Sequence, residues 1–170
     1  MLLQDFNTVD AAEAAALVRV WADIPSFVDG IVASRPYTSV DEVAARASQL
    51  AAAWDEADLD AALAHHPRIG EKPTASGAEG DASRREQASM ASAGEDTTAR
   101  IADGNAEYER RFGRVFLIRA AGRAPEEMLA ELERRLANDP SDEWREAAAQ
   151  LGEIAVLRLR GAVTDDRMGA

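Results

Sequence analysis

An all-α fold is what this sequence predicts, and three observations carry that expectation. Ala, Leu, Glu and Arg are abundant, aromatic residues make up only 5% of the chain, and apolar positions recur with a helical period rather than alternating. At 170 residues and 46% hydrophobic content, the chain can build a core without disulfide or metal staples. No repeat or linker divides it, so the expectation is a single domain over residues 1–170, a compact bundle of about seven or eight helices.

Val9–Val20 reads as the first helix, with Asp10 and Glu13 at its start, and Pro25–Ala33 as the second, with Pro25 in its first turn. Ser39-Val40-Asp41-Glu42 is a capping-box pattern opening a helix that carries Val43, Ala47, Leu50 and Trp54 on one face. A short helix over Asp58–His65 is stopped by Pro67, and the Gly-, Pro- and Ser-rich stretch Gly70–Asp81 reads as a loop beside the site. Ala82–Met90 is helical again, and Asp96–Phe112 is a longer helix ended by Gly113 at a C-cap position. Val115–Ile118 is an extended apolar connection through the core. Pro125 opens a helix with Met128, Leu129, Leu132 and Leu136 inward; Asn138-Asp139-Pro140 breaks it, and Ser141 caps a last helix carrying Trp144, Ala148, Leu151, Ile154 and Leu157.

Charge and composition narrow the function classes. A net charge of −12, from 31 acidic and 19 basic side chains, opposes the phosphate backbone of a nucleic acid. The absence of cysteine removes thiolate catalysis and cysteine-ligated metal, and it fits a reducing compartment. Neither a basic, apolar leader nor a spanning segment is visible, and the last residues carry no peroxisomal Ser-Lys-Leu type signal, so the expectation is a cytoplasmic protein that binds no membrane.

The chemistry concentrates at His65-His66-Pro67-Arg68-Ile69-Gly70 and Ser83-Arg84-Arg85-Glu86-Gln87. Proline disfavours helix at the residue before it, so His66 stands at a helix end with a ring suited to proton transfer near neutral pH. His65 points roughly 100° away and reads as partly exposed. Ser83, Glu86 and Gln87 share one helix face and aim a hydroxyl, a carboxylate and an amide at one point. Ser83 and Glu86 also fit a capping box, which would spend them on backbone N–H groups instead. Adjacent histidines lack the i, i+4 spacing of a helical zinc site, so no metal is expected.

These two segments resemble the 2-oxo-4-hydroxy-4-carboxy-5-ureidoimidazoline (OHCU) decarboxylase family, which forms (S)-allantoin in the last step from urate. Asn105, Tyr108, Phe112-Gly113, Val115–Ile118 and Ala121-Gly122-Arg123 are similar to the family's middle segment. Arg35-Pro36-Tyr37 resembles its early turn, and Arg158-Leu159 its C-terminal signature. The resemblance runs from the first helix to Leu159.

It implies His66 as catalytic acid/base, with Pro67 shaping the turn that presents it, and Glu86 as the carboxylate that orients the imidazole or takes the substrate hydroxyl proton. An ionised Glu86 beside the ring would favour imidazolium. Ser83 and Gln87 would bind the ureido or ring amide, Arg158 would hold carboxylate or carbonyl oxygens, and Ile118 would act through its main chain. The substrate's ring carbonyl takes up the electrons left by departing carbon dioxide, so no cofactor is expected. The resemblance also implies a possible homodimer working downstream of urate oxidase and hydroxyisourate hydrolase. Arg114-Val115 departs from the family's usual Phe-Pro, and Ala22–Pro25 from its commonest early loop, which bears on loop conformation and substrate affinity. Rival readings are an acid/base enzyme on another ureide or hydantoin, and a non-catalytic helical interaction module.

Overall fold

A computed structural model describes residues 1–64, 66–71 and 77–165. Among the described residues there are nine α-helices, one 3₁₀ helix and a single isolated β-bridge, Leu2 with Thr164. The helices are α1 (Leu3–Thr8), α2 (Ala11–Trp21), α3 (Pro25–Ala33), α4 (Val40–Ala51), α5 (Glu56–Leu63), α6 (Gly77–Glu86), α7 (Glu95–Phe112), α8 (Pro125–Arg135) and α9 (Pro140–Ala162). The chain resolves into two compact units, Met1–Asp55 with Gly152–Ala170, and Glu56–Leu151.

In the first unit the helix starts follow local chemistry. Asp10 accepts from the Glu13 N–H at 2.9 Å, and Pro25 takes the first position of α3. Ser39 accepts from the Glu42 N–H at 3.1 Å, but the reciprocal arm of the expected capping box lands one residue earlier. Glu42 accepts from the Thr38 N–H at 2.6 Å and its hydroxyl at 2.8 Å, bonds that hold its carboxyl below the ordinary range. Phe6, Val18, Trp21, Phe27 and Ile31 form the interior, and Trp54, just beyond α4, stacks edge-on against Phe27.

Helix α1 is a departure from expectation, since the first helix was predicted to begin at Val9. Its six residues are too few for a readable period. Their order comes from burial of Leu3 and Phe6, and from Arg35, whose guanidinium donates to the carbonyls of Phe6 (2.7 Å) and Val9 (2.9 Å).

The second unit is built on α7. Gly104 lets α8 approach so closely that a Cβ there would stand 2.6 Å from a Leu132 methyl. Ile69, Ile101, Tyr108, Phe116, Ile118, Met128 and Leu132 make the core. Gly113 closes α7 in the left-handed conformation at φ 73°, as predicted. Val115–Ile118, expected as an extended connection, lies in a stretch over residues 115–120 that is neither helix nor strand, with Phe116, Leu117 and Ile118 buried.

Three expectations differ from the structure. Gly77–Asp81, read as loop, forms the first half of α6, where Gly80, Ala82 and Ser83 are buried and packing overrides two helix-weakening glycines; residues 72–76 lie outside the described residues. The stretch Ala82–Met90 is not one helix, because α6 ends at Glu86 and a 3₁₀ helix follows over Ala88–Ser92. Likewise α9 starts at Pro140, not behind a Ser141 cap. The Asp139 carbonyl accepts the first helical bonds from Asp142 and Glu143, and proline fits the first position because its missing N–H needs no partner there.

Candidate active site

Helix α5 delivers the chain to His66, whose N–H donates to the Leu63 carbonyl at 3.0 Å. The ring is half-buried, and Nδ1 lies 3.4 Å from the Pro67 carbonyl oxygen. A carbonyl only accepts, so this long contact favours a proton on Nδ1 and makes Nε2 the basic nitrogen of the neutral ring. His65 lies outside the described residues.

The turn that follows is fixed by side chains from three directions. Gln87, just past α6, accepts from the Gly70 N–H at 3.0 Å and donates to the Arg68 carbonyl at 3.2 Å. Asn105, 4% exposed in α7, donates to the Ile69 carbonyl at 2.9 Å. Glu109, one turn further along α7, takes the Arg68 guanidinium on both oxygens, through Nε and, at 2.9 Å, through Nη2. That pairing holds the Glu109 carboxyl below its usual range and raises the Arg68 guanidinium above its own.

Ser83 is 2% exposed inside α6, six residues after the helix begins, so it is not an N-cap and the capping-box alternative falls. Glu86 is the last residue of α6 and half-buried. The Gln87 bonds thus tie the helix end carrying Ser83 and Glu86 to the turn that carries His66 and Pro67. Gln87 has a backbone-holding duty that its sequence position did not reveal, while one amide N–H and one carbonyl lone pair stay uncommitted by these two bonds.

Ile118 is buried on the connection after α7. Its predecessor is held by the most enclosed polar cluster of the unit: Arg135 (1% exposed) donates to the Leu117 carbonyl at 2.7 Å and to Glu143 (0% exposed) at 2.5 and 2.9 Å. The Tyr108 hydroxyl also donates to Glu143, and Asn138 donates to its other oxygen at 2.8 Å. Burial pushes the Tyr108 phenol above its ordinary range, so it remains a donor throughout the working pH range. Arg158 belongs to the first unit, half-buried in the last turns of α9, and donates to the Val20 carbonyl at 2.9 Å.

The OHCU decarboxylase family model matches residues 7–160. The chain belongs to the OHCU decarboxylase family. The decarboxylase of Haloferax volcanii that carries the full chemical name of that activity is 30% identical over 168 residues, covering 94% of each chain. Its namesake from Amia calva is 28% identical over 167 residues, again with 94% of each covered. A crystal structure of OHCU decarboxylase in the presence of (S)-allantoin superimposes with a TM-score of 0.70 at 26% identity, covering 84% of this chain and 94% of that one.

Within this OHCU decarboxylase chain, the sequence motifs mark the candidate site residues and pass over most of the residues that hold them. Asn105 was recognised only as part of a matching segment, and Glu109 and Arg135 not at all. Their partners lie far off in sequence, so no local pattern announces them. Among the described residues no helix is long and apolar enough to cross a membrane.

Proposed function

We infer that this protein decarboxylates OHCU to (S)-allantoin without a cofactor, with residues 1–170 serving as a single domain. The observation that carries the reading is the family match across residues 7–160, a span that includes His66, Pro67, Ser83, Glu86, Gln87, Ile118 and Arg158. Loss of carbon dioxide breaks one C–C bond, and its electron pair is accepted by the substrate's own ring carbonyl as an enolate-like intermediate. The protein then has three tasks: to orient the carboxylate, to stabilise the developing negative oxygen, and to deliver a proton to one face.

In this reading His66 is the acid/base and Glu86 sets its orientation and charge. Arg158 grips substrate oxygens with a guanidinium fork that stays charged at every working pH. Ser83 and the uncommitted valences of Gln87 meet the ureido or ring amide, the Ile118 main chain meets the ring, and Pro67 shapes the wall beside it. The protein works in the cytoplasm, as a homodimer, on the product of urate oxidase and hydroxyisourate hydrolase. Its acidic, cysteine-free composition supports that compartment.

The test generates OHCU in place from urate with those two enzymes and follows allantoin by circular dichroism. The expected result is rapid formation of the (S) enantiomer alone, and a loss of about 10²–10⁴-fold in His66→Ala, the range for removing a general acid/base. Racemic allantoin at the spontaneous rate with the unmutated protein would overturn the reading.

A further inference from the structure

The helix that presents His66 is poorly secured by burial. It has eight residues, of which only Leu59 and Leu63 are buried, and a helix that short has little stability of its own. What grips it is Arg114, the residue that replaces the family's usual apolar neighbour of Gly113. Its side chain is only 7% exposed; it donates to Glu56 at 2.5 Å through Nη2 and forms an ion pair with Asp60, one turn further along α5, at 2.7 Å through Nε. Four residues before Gly113, Glu109 grips Arg68, the second residue beyond His66. Asp60, Leu63, Glu109 and Arg114 line one cavity of about 350 Å³, so both grips act on the patch where α5 hands the chain to the His66 turn.

We propose that Arg114 and Glu109 are positioning residues that hold His66 in its productive orientation by clamping the chain on both sides of it, through α5 upstream and Arg68 downstream. The proposal rests on His66 as the acid/base. The proposal gives neither clamp a substrate contact. Both act by narrowing the motion of the segment that carries the imidazole, where a displacement of about 1 Å is enough to cost up to ~10²-fold in rate.

The separation of function from fold comes from variants that leave the core alone. Arg114→Gln and Glu109→Arg are expected to lower kcat about tenfold with KM changed less than about twofold, the pattern of an interaction that matters in the transition state rather than in substrate binding. The exchange Glu109→Arg with Arg68→Glu restores the pair in reverse and should regain most of the lost kcat. Thermal melting of each variant identifies any that fail to fold, and Glu109→Gln then replaces Glu109→Arg.

A second readout does not depend on turnover. The chain has 2 histidines, so in a His65→Gln background the imidazole NMR signals belong to His66 alone. Arg114→Gln and Glu109→Arg should broaden or shift those signals at fixed pH, and the exchange variant should return them. Unchanged kcat and an unchanged His66 spectrum in Arg114→Gln and Glu109→Arg would overturn the proposal, as would an exchange variant no better than Glu109→Arg. Should the parent make no (S)-allantoin, the functional reading fails, while the His66 spectrum still decides whether the clamps hold the ring.

Discussion

Two irregular segments of the second unit are held to their helices by side chains that reach backbone carbonyls, and they are held in contrasting surroundings. Residues 115–120 are secured by Arg135 and Glu143, 1% and 0% exposed, with Tyr108 beside them at 0%. Residues 66–71 are secured by Gln87, Asn105 and the Arg68–Glu109 pair, and of these only Asn105 is buried. The first segment is assigned a main-chain duty at Ile118, and a main chain can serve only if it does not move. The second carries the side chain proposed as acid/base, and it is restrained by half-exposed polar groups that solvent screens.

The sharpest way to break this comparison is to remove one charge from the enclosed cluster. Arg135→Met fills similar volume but leaves the Glu143 carboxyl without its guanidinium partner in the interior. That should cost about 3–5 kcal/mol in a urea unfolding measurement, because the desolvation of the remaining charge is uncompensated. Adding Glu143→Leu removes the stranded carboxylate and should recover a large part of that loss. If the single and double variants are equally unstable, guanidinium packing over the Phe116 ring, 4.7 Å away, matters more than the ion pair.

Tyr108→Phe sharpens the same point with a smaller effect. It deletes one O–H that donates to Glu143 while keeping the ring contacts with Phe112 and Phe116. A hydrogen bond to a buried carboxylate is worth about 1.5–3 kcal/mol, so this variant should unfold at lower urea than the parent but well above Arg135→Met. An effect equal to that of Arg135→Met would mean the hydroxyl, and not the guanidinium, is the main partner of Glu143.

Much of this was legible in the sequence, and what was not has a common cause. Pro25–Ala33 and the Gly113 cap were read correctly because proline and glycine fix backbone angles wherever they stand. His66, Ser83, Glu86 and Gln87 stood out because the motif packs several chemical groups into a short stretch. Helix α1 was missed because Arg35, 26 and 29 residues away, satisfies its last carbonyls. The Asn105–Ile69 and Arg68–Glu109 contacts span 36 and 41 residues, and the second duty of Gln87 spans 17 and 19. Sequence periodicity reports which face is buried, and it carries no record of which polar side chain meets which distant carbonyl.

The mildest test addresses the half-exposed side of the comparison. Arg68 and Glu109 retain 44% and 27% of their side-chain exposure, so solvent screens the pair and Glu109→Gln should cost no more than about 1 kcal/mol of stability. The Glu109 carboxyl titrates below its unfolded value because Arg68 bonds the charged form. Its contribution is therefore fully present above the unfolded carboxylate range and is lost as pH falls through the depressed folded value. Urea midpoints of the parent and Glu109→Gln should thus differ slightly at pH 7 and converge on acidification, and they should also converge in high salt. A difference that persisted at low pH would show that Glu109 supports the His66 turn through packing rather than through its charge.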